Sequence, residues 1–163
     1  MLKINNLLLL FLLLLTSFPV FAGGEIEAVL KKLQKEYGFY YKVDKPGEIS
    51  VFMKENDENI ELTFKEINYY EDTNMKAVMM FTHVLTMPDD YTPSKSLLLK
   101  INELSDYAVP GKLILYEEKY VIYVSYFWFS SVSRNTILNE MTLLIANYIT
   151  ARKELIKFVD NER

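Results

Sequence analysis

The chain has 163 residues, of which 50% are apolar and 25% charged, and its formal net charge is −4. This composition is typical of a globular protein and excludes a disordered chain or a polytopic membrane protein. Cysteine is absent and His83 is the single histidine, which excludes a disulfide framework, a thiol nucleophile and a polyhistidine metal site within one chain.

The first 22 residues have the organisation of a secretory signal peptide. Lys3 is followed by an unbroken apolar run over Leu7–Leu15, and Val20–Ala22 places small residues where a signal peptidase cleaves. We therefore predict cleavage between Ala22 and Gly23 and a single mature domain over residues 23–163. The apolar run is shorter than the roughly 20 residues of a membrane span, which disfavours the alternative of an uncleaved anchor. We expect an exported protein, periplasmic or secreted, with no stable membrane insertion after cleavage, and the Lys, Ile, Asn and Tyr content indicates a bacterial source.

Apolar side chains that recur every three or four positions predict three helices in the mature chain. Acidic residues at the start of the first helix and lysines toward its end suit the helix dipole, and a glycine follows it. The predicted helices are Glu25–Tyr37, Lys95–Tyr107 and Arg134–Val159.

Shorter alternating or apolar runs predict the strands, and a further extended segment is predicted over Phe39–Val43. Short polar turns separate neighbouring runs, which indicates antiparallel hairpins. The fold class is therefore α+β, with an antiparallel sheet of about five strands, three helices and the order α-β-β-β-α-β-β-α. The predicted strands are Ile49–Met53, Ile60–Ile67, Ala77–Leu85, Leu113–Tyr116 and Tyr120–Phe129.

One stretch of the sequence resembles the YbjN-like family. Leu99–Leu104 leads through Pro110-Gly111 into a two-strand hairpin and a long last helix. The family pattern has an Ile-Asn or Leu-Asn pair near the end of the second helix, a glycine that opens the fourth strand and a last helix rich in Leu and Ala. The corresponding residues are Ile101-Asn102, Gly111 and Leu143-Leu144-Ile145-Ala146.

The resemblance covers about residues 25 to 159 and implies the fold of type III secretion chaperones without known catalysis. Members of the family are described as bacterial sensory transduction regulators. Two departures stand at Ser105, where the family has a second Asn, and at Lys112, where it has an aromatic residue. The relatives that chaperone secretion work in the cytosol, so the leader would place this chain in a different compartment.

The polar residues predict no catalytic, cofactor or metal site. His83 lies in the middle of a strand and is interpreted as a packed or edge-exposed histidine rather than a base or ligand. Asp89-Asp90 and Glu117-Glu118 are interpreted as solvated turns, since Asp89-Asp90 lacks the ligand spacing of an EF-hand. Five glycines form neither a phosphate loop nor a dinucleotide fingerprint, and the negative charge disfavours nucleic acid as a partner.

The segment Tyr120–Phe129 is apolar or aromatic on both faces and allows two interpretations. It is either a central strand buried on both sides, or a strand covered by helices on one side only. In the second interpretation, helices would pack on the face of Ile122, Val124 and Trp128, which is richer in aliphatic residues. The other face would then be an exposed binding surface, supported by Met79 or Met80 and formed by Tyr123, Phe127 and Phe129.

These features predict a non-catalytic, exported interaction module. It would bind an unidentified protein partner, or itself as a homodimer, through the sheet surface or a helix. The alternative is a periplasmic small-molecule or lipid carrier with an apolar cavity under the sheet. A hydrolase that uses carboxylates and tyrosines is the third possibility, because the separation of paired carboxylates cannot be read from a sequence.

Overall fold

In the computed structural model, the helices pack on one side of an antiparallel sheet. The structure describes residues 23–55, 57–68 and 76–162. The predicted leader with its cleavage site at Ala22, and the predicted turn over residues 71–74, lie outside the described residues.

The sheet order is β1-β2-β3-β4-β6-β5, with antiparallel pairing between all neighbours. The α+β class, the three helices and the antiparallel sheet are therefore confirmed. None of the helices in the described part of the chain has the length and apolarity needed to cross a membrane. The elements are α1 (Gly23–Tyr37), β1 (Tyr40–Lys45), β2 (Glu48–Glu55), β3 (Glu58–Asn68), β4 (Lys76–Thr86), α2 (Lys95–Tyr107), β5 (Lys112–Tyr116), β6 (Tyr120–Trp128) and α3 (Arg134–Glu162).

The sheet has six strands among the described residues, rather than about five. The extended segment predicted near Phe39–Val43 is the strand β1, which pairs with β2 through Tyr40 opposite Phe52. Most side chains of this edge strand are exposed, so it lacks the apolar alternation that reveals a half-buried strand. The last strand ends at Trp128 instead of Phe129, because residues 129–131 form a 3₁₀ turn before α3.

Hydrogen bonds between α3 and the central strands show which side of these strands faces the helices. Ser125 donates to a carboxylate oxygen of Glu140 at 3.0 Å, and Arg152 donates to the carbonyl oxygen of Val84 at 2.7 Å. Successive strand residues point to opposite sides, so alternate residues form the core with the helices. On β3, β4 and β6 these include Ile60, Leu62, Phe64, Val78, Met80, Val84, Val121, Tyr123 and Phe127.

The buried hydroxyl of Tyr123 joins three parts of the fold. It accepts hydrogen bonds from the backbone N–H of Gly111 at 2.9 Å and from the side-chain amide of Asn147 at 3.1 Å. It donates to the carbonyl oxygen of Ala108 at 3.0 Å. Burial raises the pKa of Tyr123, while the bonds from Asn147 and Gly111 act in the opposite direction. One side chain therefore holds the end of α2, the start of β5 and the middle of α3 together.

The carboxylate of Glu162 connects the end of α3 to the start of α2. It accepts hydrogen bonds from the hydroxyls of Ser96, Tyr91 at 2.6 Å and Ser94 at 2.9 Å. Ser94 also caps α2 by accepting from the backbone N–H of Leu97 at 3.0 Å. The hydrogen bonds, first that from Ser96, hold the pKa of Glu162 below its ordinary value.

Replacing Glu162 with glutamine should lower the melting temperature near neutral pH, and this difference should shrink in acid. Because the folded-state pKa of the carboxyl is lowered, the folded chain binds fewer protons than the unfolded chain between the two pKa values. The stabilisation is therefore complete above the unfolded-state pKa and is lost as the pH falls through the folded-state pKa. Thermal unfolding of both chains at about pH 7 and about pH 3 measures this effect. A difference that persists unchanged in acid would contradict the role of the ionised carboxylate.

Candidate functional site

The side of the sheet that faces away from the three helices forms a continuous surface, which we call the open face. Its apolar centre lies on β4, β5 and β6, because the register places alternate residues of these strands side by side. Val124, for example, lies between Phe81 on β4 and Lys112 on β5. The open face comprises Ala77, Met79, Phe81 and His83 on β4, Lys112, Ile114 and Tyr116 on β5, and Tyr120, Ile122, Val124, Tyr126 and Trp128 on β6, and it continues onto β3 at Thr63 and Lys65.

The predicted binding surface lies on the wrong side of β6. Tyr123 is 0% exposed and Phe127 is 8% exposed, and both belong to the core beneath α3. Phe129 is partly buried against the same core from the 3₁₀ turn. The physical reason is that the polar hydroxyl of Tyr123 finds three partners on the helix side, so this ring is buried without leaving an unsatisfied polar atom.

The residues predicted to lie under the helices form the exposed surface instead. Trp128 is 48% exposed, and Tyr126 and Ile114 on the same face are 53% and 41% exposed. Val124 is only 5% exposed although no described helix covers it, because the surrounding side chains of the open face enclose it. One side of the sheet therefore presents aromatic and aliphatic area to solvent, which makes this side the candidate binding surface.

A concave groove of about 390 Å³ lies in the centre of the open face. Five of its lining side chains are apolar and form what we call its floor, and the other four carry polar groups: the amine of Lys65, the imidazole of His83 and the hydroxyls of Tyr116 and Tyr126. An apolar depression with a few convergent polar groups is the usual form of a small-ligand site. The groove is lined by Lys65, Met79, Phe81, His83, Ile114, Tyr116, Ile122, Val124 and Tyr126.

A larger depression of about 710 Å³ lies at the other end of the sheet, near β1 and β2. Tyr40 and Phe52 form part of its wall, with ring centroids 5.9 Å apart, and Lys54 and Glu61 also line it. This depression is more open to solvent and carries both charge signs. The groove on β4, β5 and β6 is therefore the better candidate for a binding site.

The polar residues considered in the sequence do not converge. His83 is exposed on the open face, where its ring meets that of Tyr120 edge-on with centroids 5.7 Å apart. Asp89 forms an ion pair with Lys119, and this hydrogen bond lowers the pKa of Asp89. Glu117-Glu118 forms the turn between β5 and β6 with left-handed backbone angles φ of 52° and 56°. Across the described ranges, no group of three His, Cys, Asp or Glu residues is arranged to hold a metal ion.

Apart from Met79, sequence reasoning did not assign the residues that line the groove to a binding surface, although one signal pointed to them. The strand β3 alternates cleanly, so its polar side, which carries Lys65, marks the side of the sheet that the helices leave exposed. Lys65 pairs with Met79, and Met79 pairs with Tyr126. Extending the polar side of β3 across the register would have placed Tyr126 and its alternate neighbours on the open face.

Comparison with known proteins assigns no family to the chain. No protein-family model matches the sequence, and no curated protein matches it either. The resemblance to the YbjN-like family therefore stays a prediction.

Proposed function

We propose that this chain is a non-catalytic interaction module that binds a protein partner through the open face. The observation that carries the proposal is the exposure of aromatic and aliphatic side chains on one side of β5 and β6, among them Tyr126, Trp128 and Ile114. Aromatic side chains dominate the energetics of protein interfaces because they offer a large area at a small entropic cost. Tyrosine and tryptophan also keep a polar atom that can bond at the edge of an interface.

We further propose that the module is exported and YbjN-like. The leader over residues 1–22 supports export to the periplasm or the exterior. The order of elements from α2 through the β5–β6 hairpin to α3, with Gly111 immediately before β5, supports the family proposal and a secretion-chaperone-like fold. The additional strand β1 is a departure from the expected element order. A non-catalytic role is supported by the placement of Asp89 and Glu117-Glu118 in separate ion-pair and turn settings.

Removing two exposed aromatic rings from the open face should abolish partner binding without unfolding the protein. The double variant Tyr126→Ser, Trp128→Ser loses contact area while the core side of β6 stays intact. We expect the tagged wild-type protein to retain a partner from envelope extracts, and the variant to lose it. Affinity capture with mass spectrometry measures this difference, and circular dichroism verifies that the variant is folded.

The matched control is the double variant Tyr37→Ser, Tyr107→Ser, which removes two exposed rings elsewhere, of which Tyr37 is 56% and Tyr107 79% exposed. It should capture the same partner as the wild type. Size-exclusion chromatography with light scattering identifies the case in which the partner is a second copy, since the dimer would then dissociate only in the open-face variant. Identical capture by all three proteins, together with a strict monomer throughout, would refute binding through the open face.

The second candidate function is that of a carrier for an apolar small molecule. The groove of about 390 Å³ favours it, because ligand pockets commonly have volumes of about 300–1,000 Å³. The groove lies on the outer side of the sheet, whereas the sequence predicted a cavity under it. Native mass spectrometry of gently purified protein tests the proposal. A co-purifying apolar mass supports it, and a clean protein mass from several expression hosts counts against it.

A further inference from the structure

We infer that the groove of the open face is a binding site for a free long-chain carboxylate. The inference rests on the carrier function proposed above and adds the chemistry of the ligand. It is carried by three properties of the groove: its apolar floor, the sign of the charges around it and its length across the strands.

The floor of the groove matches a hydrocarbon chain. Phe81, Ile122 and Val124 lie side by side on β4 and β6, and Met79 and Ile114 extend the apolar surface toward either side. A bound hydrocarbon would remove this surface and its own surface from water, which contributes about 25 cal/mol for each Å² buried. Methionine suits a flexible chain, because its unbranched thioether adapts to irregular shapes.

The charges around the groove select an anion. No acidic side chain lies on the open side of β4, β5 or β6, although the whole chain carries a net charge of −4. A carboxylate of the β5–β6 turn, that of Glu117, accepts a hydrogen bond from the hydroxyl of Tyr116, which raises the pKa of Tyr116. Two lysines flank the floor from opposite sides: Lys112 beside Val124, and Lys65 beside Met79. Lys65 forms no ion pair with any residue that the structure describes, and its cross-strand neighbour Glu48 pairs with Lys45 at 3.2 Å.

The dimensions of the groove fit a chain of about twelve carbons. The groove spans four strands, from β5 to β3, and the three spacings of about 4.8 Å between neighbouring strands give about 14 Å straight across them. An extended chain advances about 1.2 Å for each bond, as the backbone of a polypeptide does, so twelve carbons span about 13 Å. With the hydrocarbon lying across the strands, the carboxylate reaches the amine of Lys65 or Lys112 at one end.

The same charges disfavour a second copy of the chain as the occupant of the groove. In a two-fold contact of one open face with another, a second copy brings the same two lysines to the same surface, so the contact gains no complementary charge. A carboxylate on a flexible chain supplies that charge together with the apolar surface.

Three twelve-carbon probes with different head groups test the inference: dodecanoate and dodecyltrimethylammonium below their micellar concentrations, and dodecanol below its solubility limit. The protein is tested in the form that is purified from the producing cell, after any processing of its leader. Trp128 is the single tryptophan of the chain and lies on the open face beside the groove, so its fluorescence reports occupation directly. We expect dodecanoate to bind about fivefold more tightly than dodecanol, as one partly exposed ion pair provides, and more tightly than the cation.

The double variant Lys65→Gln, Lys112→Gln should bind dodecanoate and dodecanol equally. Its matched control, Lys31→Gln, Lys32→Gln, makes the same charge change on exposed positions of α1 and should keep the fivefold preference. Equal binding of all three probes to the wild type would overturn the carboxylate assignment but leave the carrier function standing. A preference that survives in the Lys65 and Lys112 variant would show that the carboxylate is held away from these lysines, and would overturn the assignment of the groove as its site. If no probe binds and Trp128 fluorescence stays constant, both the assignment and the carrier function are wrong.

Discussion

Replacing Tyr123 with alanine should lower the free energy of unfolding by about 3–5 kcal/mol, as the removal of a large buried aromatic side chain does. Tyr123 is 0% exposed, and its hydroxyl bonds Gly111, Ala108 and Asn147. The variant loses the packing of the ring and also leaves these three backbone and side-chain groups without their partner. Urea unfolding followed by circular dichroism measures the change.

Trp128→Ala is the comparison that shows which side of β6 is the core. Trp128 is 48% exposed on the open face, so its removal should cost about 1 kcal/mol or less. Tyr123→Phe should fall between the two, at about 1–3 kcal/mol, because it keeps the ring but removes the buried hydroxyl. Equal, large losses for Tyr123→Ala and Trp128→Ala would mean that both sides of the strand are covered.

The helices and the antiparallel sheet were predictable because their signals are local. The apolar stripe of α1 and the alternation of β3 each require one side to be buried, and the helix that begins at Lys95 follows a serine cap. Strand β1 was harder to predict because its side chains are mostly exposed at the edge of the sheet. Its pairing with β2 depends on backbone hydrogen bonds, which side-chain periodicity does not report.

The side of β6 that faces the helices could not be predicted from its own residues. Both faces of β6 are apolar, so its own residues do not show which face packs against the helices. The aliphatic content of Ile122 and Val124 favoured their face, which is the exposed one. The decision comes from contacts distant in the sequence. Asn147 and Glu140 on α3 offer hydrogen bonds to Tyr123 and Ser125, which lie on the opposite side from Ile122 and Val124. In the sequence, the side of β6 that faces the helices is indicated by the alternation of β3, once the pairing of β3 with β4 and of β4 with β6 is known.

The position of the groove follows from the same arrangement. Because α3 supplies polar partners on the helix side of the sheet, Tyr123 lies in the core with its hydroxyl buried. Tyr126 and Tyr116, on the open face, remain exposed to solvent. Their rings then surround Ile122 and Val124, which no described helix covers. The position of the candidate site therefore follows from the hydrogen bonds that the core residues of β6 make with α3. Substitutions in the core should change stability, and substitutions on the open face should change binding.

Gly111→Ala should be among the most destabilising single-methyl additions in the chain, with a loss of about 3 kcal/mol in the free energy of unfolding, at the upper end for overpacking. A Cβ at this position would meet the carbonyl oxygen of Val124 and would lie 2.6 Å from Cζ of Tyr123. The Val124 oxygen belongs to the backbone of a central strand and cannot move aside as the end of a flexible side chain can. The added methyl would also disturb the hydrogen bond from the Gly111 N–H to the Tyr123 hydroxyl.

Gly38→Ala is the control for this substitution, because the two glycines are needed for different reasons. Gly38 has a left-handed φ of +72°, and a methyl group added there would meet no atom within 4 Å, so alanine should cost only about 1–2 kcal/mol of backbone strain. Thermal and urea unfolding compare both variants with the wild type. Adding Tyr123→Phe to Gly111→Ala should not restore stability, because the phenylalanine ring and the Val124 carbonyl oxygen still occupy the space of the new methyl. Recovery in that double variant would show that the Tyr123 hydroxyl alone excludes a side chain at residue 111.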